Sequence, residues 1–219
     1  MKVDYSLYLV TDRKLSQGRD ILEIIKMAIK GGVTIVQLRE KDATTREFLS
    51  VGKRVKELLD KKNIPLIIND RIDIALALDA DGVHLGNDDM PIEIARRILG
   101  KNKIIGLSAE SIDDAIEADI KGADYIGVSP IYTTPTKPEL EKGLGIEGLK
   151  KIRKVTSLPL VAIGGMKAKN CREAIKNGAD GIAVVSAICS APNPEIAARE
   201  IISEINKGRK NLNEFKRNR

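Results

Sequence analysis

Three groups of residues in this 219-residue chain have types and spacings suited to anion chemistry. The first is Gln37-Leu38-Arg39-Glu40-Lys41. Alternate side chains of an extended strand share a face, so Gln37, Arg39 and Lys41 point one way while Val36 and Leu38 point the other. Two cations and an amide on one face make an anion site. The second group is acidic: Asn69-Asp70 and Asp88-Asp89 each follow an apolar run. Carboxylates of Asp70 and Asp89 converging from neighbouring strand ends suit Mg²⁺, which takes one or two carboxylates, waters and substrate phosphate oxygens. Spacing alone leaves helix capping open as a second reading of both aspartates. The third group is Gly164-Gly165 with Val185-Ser186, where small residues and helix N-termini bring backbone N–H groups to an anion.

Smaller signals accompany these. Ser108 offers a hydroxyl after an apolar run, with capping again the alternative. His84 is the only histidine, inside a strand-like segment, and reads as a hydrogen-bonded core residue. The longest connection runs from 129 to 143. Loops of that length in a small domain are usually lids or binding loops, and its Thr134, Thr136 and Lys137 suit phosphate oxygens.

Such residues need a frame that brings them together. Apolar, β-rich runs recur at 7–10, 34–38, 65–68, 82–85, 104–107, 125–128, 160–163 and 181–184. Between them lie helical patterns such as Ile21, Leu22, Ile25, Ala28 and Ile29. Gly31-Gly32-Val33, Gly122-Ala123-Asp124 and Gly178-Ala179-Asp180 stop helices just before strands, and Asp79-Ala80-Asp81-Gly82 is a variant of that phrase. Eight strand–helix units predict a single-domain α/β fold, a (β/α)8 TIM barrel, over residues 1–206. A doubly wound open sheet is the alternative. In the barrel, chemistry belongs where strands end and helices begin, and every residue singled out above falls at such a junction or beside one.

Composition narrows the function. Hydrophobic residues make up 42% and charged residues 31%, which excludes disordered and fibrous chains. No apolar run approaches the roughly 18 residues that span a bilayer, and no signal-peptide core follows Met1, so a cytoplasmic chain without membrane contact is expected. Cys171 and Cys189 lack metal-type spacing and read as reduced thiols. The net charge of +6 is uneven: six basic residues against Glu214 give +5 over 207–219, leaving +1 for the rest. That segment reads as a basic, disordered C-terminal tail. With six aromatic residues in all, stacking platforms and a basic groove are both lacking, so no nucleic-acid partner is expected. A homo-oligomer is compatible with the sequence.

Several stretches, taken in order, resemble the thiamine phosphate synthase family. They are Leu7-Tyr8-Leu9-Val10-Thr11-Asp12, Gln37-Leu38-Arg39-Glu40-Lys41, Asn69-Asp70-Arg71, Asp81-Gly82-Val83-His84-Leu85-Gly86 and Asp88-Asp89-Met90-Pro91. Pro130-Ile131-Tyr132, Thr134-Pro135-Thr136-Lys137, Ile163-Gly164-Gly165 and Ala179-Asp180-Gly181 continue the series. Asn87 stands where the family commonly has Gln. The resemblance implies a transferase that joins two small phosphorylated substrates. The nitrogen of 4-methyl-5-(2-hydroxyethyl)thiazole phosphate would displace pyrophosphate from the diphosphate of 4-amino-2-methyl-5-hydroxymethylpyrimidine, giving thiamine phosphate. It further implies that Gln37, Leu38, Arg39, Glu40, Lys41, Asn69, Ser108 and Lys137 bind the pyrimidine diphosphate. Arg39, Lys41 and Lys137 would be catalytic, stabilising charge on the leaving pyrophosphate. Asp70 and Asp89 would hold Mg²⁺ as cofactor, and Thr134, Pro135, Thr136, Gly165, Val185 and Ser186 would bind the thiazole phosphate. A dissociative reaction needs no protein nucleophile, in agreement with the lack of a Ser-His or Cys-His pair. A thiazole tautomerase-like isomerase on the same barrel is the nearer rival, and a non-catalytic nucleic-acid-binding protein the farther one.

Overall fold

The structure, a computed structural model, describes residues 3–133 and 143–217. Eight parallel strands close into a barrel in sequence order: β1 (Leu7–Val10), β2 (Ile35–Leu38), β3 (Leu66–Asn69), β4 (Gly82–Leu85), β5 (Ile104–Ala109), β6 (Tyr125–Val128), β7 (Leu160–Ala162) and β8 (Gly181–Val184). Four strands keep their sequence-based bounds and β2, β3, β5 and β7 shift by one or two residues; β5 gains most because Ser108 and Ala109 stay on the β6 ladder.

Side-chain alternation separates two apolar layers. Leu7 and Leu9 of β1, with Val36 and Leu38 of β2, pack outward against the helices. Tyr8, Val10, Ile35, Ile67, Tyr125, Val161 and Ala183 fill the barrel interior. The period of two along each strand therefore decides which residues can reach the mouth. Helices α1 (Ile21–Lys30), α2 (Thr45–Asp60), α3 (Ile72–Ala77), α4 (Ile92–Leu99), α5 (Ile112–Ile120), α6 (Gly145–Val155) and α7 (Ala168–Lys176) return the chain between strands. After β8 come a single turn, α8 (Ser186–Cys189), and the long α9 (Pro194–Arg217). No helix among the described residues is long and apolar enough to cross a membrane.

The glycine phrases close helices as read from the sequence. Gly32, Gly122 and Gly178 adopt positive φ. The following N–H of Val33, Ala123 and Ala179 reaches back five residues to Ala28, Ala118 and Ala174. Those are Schellman closures. At the end of α3 the same bonding is made by Asp79 at φ 48, so the variant phrase does the same work without glycine.

The boundary at 206 does not hold. It falls inside α9, where Gly208 is buried against Ile175 of α7. Arg209 donates to Ser6 Oγ at 2.7 Å and to the carbonyl of Asp180 at 2.6 Å. Local basicity suggested a separate tail, but a helix can carry many cations on its solvent side while its other side packs.

Candidate active site

A cavity of about 580 Å³ opens at the C-terminal ends of the strands, with walls from Gln37, Asn69, Asp89, Ser108, Gly165 and Ser186 among others. Size and place are those of a small-molecule site in a barrel of this kind. An adjoining hollow of about 640 Å³ lies between the loops that follow β1 and β2, and shares Arg39, Lys41 and Ser186 with it.

The β2 end delivers its alternation as read. Gln37, Arg39 and Lys41 line the cavity, whereas Leu38 is buried in the outer layer. Arg39 pairs with Asp12 at 2.7 Å, and its backbone N–H donates to Thr11 Oγ1 at 3.0 Å. Lys41 pairs with Asp70 at 2.5 Å. Glu40 is engaged differently: its buried carboxylate accepts from Arg13 Nε at 2.8 Å. Arg39–Asp12, Arg13–Glu40 and Lys14–Asp42 lace the β1 and β2 loops to each other, while Lys41–Asp70 ties the β2 loop to the end of β3. Leu38 and Glu40 can thus meet a ligand through backbone atoms alone, because their side chains are committed elsewhere.

Asp70 and Asp89 come together. Asp70 sits just past β3 at φ 62, a left-handed conformation that aspartate tolerates better than most residues. Burial raises the Asp89 carboxyl above the usual carboxylate range, and Asp70, within hydrogen-bonding reach, pushes it further in the same direction. Asp89 Oδ2 accepts from the backbone N–H of Gly86 at 2.7 Å. Neither aspartate caps a helix: Arg71 and Pro91 occupy the N-cap positions of α3 and α4, and neither makes a side-chain cap bond. The capping alternative for Ser108 falls in the same way, since Ser111 caps α5. Two facing carboxylates of which one resists ionisation form a donor set that a divalent cation relieves. No group of three or more His, Cys, Asp or Glu suited to a metal occurs among the described residues, so further ligands would be waters and substrate oxygens.

On the opposite wall Lys167 is the one charged side chain among the described residues that line the cavity. Gly164 and Gly165 have φ 94 and 63. A Cβ on Gly164 would lie 2.6 Å from Cβ of Pro130, and one on Gly165 would lie 2.8 Å from Cβ of Tyr132. Both glycines are therefore required by the segment after β6, which hydrogen-bonds to the β7 end through Ile131 and Tyr132. Ser186 starts the single-turn α8 and lines both hollows. Val185 precedes it as N-cap residue at the cavity edge. Thr134, Pro135, Thr136 and Lys137 lie outside the described residues.

Sequence reasoning missed the centre of the cavity. Tyr8 and Tyr125 place hydroxyls 2.8 Å apart beneath it, and His84 lies 2.9 Å from Tyr125 Oη through Nδ1 and 3.1 Å from Ser108 Oγ through Nε2. His84 is the hydrogen-bonded residue expected, but its contact with Ser108 is a Ser–His pair of the kind the sequence was read as lacking. The available signal was Gly106 and Gly127, strand glycines that mark a close approach, the first of Tyr125 and the second of His84.

A family model described as thiamine monophosphate synthase matches residues 7–188. The thiamine-phosphate synthase of Syntrophomonas wolfei is 52% identical over 198 residues, 90% of this chain and 95% of the relative. That of Clostridium novyi is 50% identical over 188 residues, 86% of this chain and 92% of the relative. Among solved structures, thiamine phosphate pyrophosphorylase from Pyrococcus furiosus superposes with a TM-score of 0.86 at 41% identity, covering 94% of this chain and 97% of that one.

Proposed function

The chain belongs to the thiamine monophosphate synthase family, an enzyme family of thiamine biosynthesis, and we propose a specific reaction for its barrel mouth. The pyrimidine diphosphate and the thiazole phosphate named above bind side by side, the C–O bond to pyrophosphate breaks, and the thiazole nitrogen forms the new C–N bond. Thiamine phosphate and pyrophosphate leave. The observation that carries this reading is the facing Asp70–Asp89 pair beside Arg39 and Lys41 on one cavity wall.

Each wall has its own work. Arg39 and Lys41 hold the diphosphate, and their charge counts for more as the leaving group separates. Asn69 and Ser108 lie beside that wall and orient the pyrimidine. Asp70 and Asp89 are the residues to hold Mg²⁺, which when bound supplies positive charge to the departing oxygens. Across the cavity, backbone groups at Gly165 and the Val185–Ser186 step receive the thiazole phosphate. Thr134, Pro135, Thr136 and Lys137 join these sites by their family pattern alone. The barrel's contribution is to fix two substrates in line and keep water from the electron-poor methylene carbon.

Product analysis tests the reading. Incubation with both substrates and Mg²⁺ should give thiamine phosphate with one equivalent of pyrophosphate. The thiazole phosphate offered alone should return unchanged. Isomerised thiazole without the pyrimidine partner would identify the tautomerase-like rival instead.

A further inference from the structure

Five polar side chains on five strands form one hydrogen-bonded chain across the barrel interior. Gln37 Nε2 donates to Tyr8 Oη at 3.0 Å. The tyrosine pair, His84 and Ser108 continue it at the distances given above. In strand order the chain visits β2, β1, β6, β4 and β5, so it joins walls that the sheet itself keeps three strands apart. Two glycines clear its path. A Cβ on Gly106 would fall 2.1 Å from Cζ of Tyr125, and one on Gly127 would fall 2.9 Å from Cε1 of His84. Neither glycine has positive φ, so the backbone does not ask for them; the rings do.

The proton count makes this chain more than packing. Each phenol carries one hydrogen, and burial raises both tyrosines well above their ordinary range, so both keep it. With a neutral imidazole, one link's direction then fixes the next. If Gln37 donates to Tyr8, the sense runs through Tyr125 and His84 Nδ1 to an Nε2–H donated to Ser108. Gln37 Oε1 is then the acceptor at one wall and the Ser108 hydrogen the donor at the other. Rotating the Gln37 amide reverses every link and exchanges the two ends.

We propose that Tyr8, Tyr125 and His84 are positioning residues that couple Gln37 to Ser108, so that the two walls present a matched donor and acceptor to the edge of an aminopyrimidine ring. An amino N–H and a ring nitrogen on one flat edge select one of the two senses. This inference rests on the function proposed above and concerns how that site recognises the pyrimidine half.

A double-mutant cycle reads the coupling, using kcat/KM for the pyrimidine diphosphate. Gln37→Leu and Ser108→Ala should each lower it about tenfold, and together also only about ten- to thirtyfold, because either one already releases the other. In a Tyr125→Phe background, which keeps the ring and cuts the chain, the two factors should multiply. KM for the thiazole phosphate should stay within about twofold throughout, which general loosening of the barrel would not allow. If Tyr125→Phe fails to fold, Tyr8→Phe cuts the chain one link along. Multiplying factors in the intact chain overturn the inference while leaving the proposed reaction standing. No thiamine phosphate from the unsubstituted protein overturns both.

Discussion

The two walls of the cavity are built on opposite terms. The β2–β4 wall carries charge in tension: two cations with carboxylate partners, a left-handed Asp70, and an Asp89 whose ionised form is disfavoured where it sits. The β7–β8 wall carries one cation, Lys167, with no carboxylate beside it in the lining, and is otherwise made of backbone, glycine, apolar side chains and one hydroxyl. In the proposed reaction, charge on the first wall serves chemistry at a cost in stability, and the glycines on the second serve the fold and the ligand at once. Substitutions should therefore separate activity from stability on one side and join them on the other.

The acidic pair should show the largest effect. Asp70→Asn or Asp89→Asn should lower kcat by about a hundredfold or more, on the scale of a lost electrostatic contact to a developing charge. Asparagine tolerates the left-handed backbone at 70. Asp89→Asn should also raise the melting temperature by roughly 2 °C, as a relief of under 1 kcal/mol would in a domain of this size. The sign follows from the raised Asp89 carboxyl: its favourable contribution is present at acid pH and lost as pH rises through the raised value, whereas an amide keeps it at neutral pH. A fall in both readouts would mean that the pair is structural.

Gly165→Val probes the other wall and should fail on both counts. Its φ of 63 and the 2.8 Å approach to Tyr132 disfavour any side chain. A melting temperature lower by about 5 °C or more is expected, together with weaker thiazole phosphate binding. Unchanged stability would contradict the fit between the two segments. Ser186→Ala separates binding from fold more gently: KM for the thiazole phosphate should rise about fivefold with that for the pyrimidine unchanged, a loss near that of one hydrogen bond. Equal shifts in both KM values would erase the division between walls. The smallest effect belongs to Arg209→Ala, far from either wall, which should lower the melting temperature by about 2 °C and leave kinetics unchanged. Full stability there would restore the separate tail.

How much was legible follows from the range of each signal. Gln37, Arg39 and Lys41 were placed correctly because strand alternation is a local rule, and the barrel followed from repeated local units closed by Gly32, Gly122 and Gly178. Asp70 and Asp89 could be brought to adjacent strand ends but not told from caps, since that depends on which residue starts α3 and α4. Asp12 and Arg13, the partners of Arg39 and Glu40, come from another strand's loop. The chain through Tyr8 and Tyr125 needs atoms 117 positions apart, which no window along the sequence connects. The tail was misjudged because charge describes a helix's wet side and is silent about Gly208.

The central claim, that the Asp70–Asp89 wall stabilises a departing pyrophosphate, meets its most direct test in a Mg²⁺ series. Thiamine phosphate formation should be measured for the unsubstituted protein and for Asp89→Asn, from chelator to saturation. The account predicts no turnover in chelator, a saturable rise with Mg²⁺, and about a hundredfold deficit for the variant at saturation. Full rate in chelator, or equal rates for the two proteins, would contradict it.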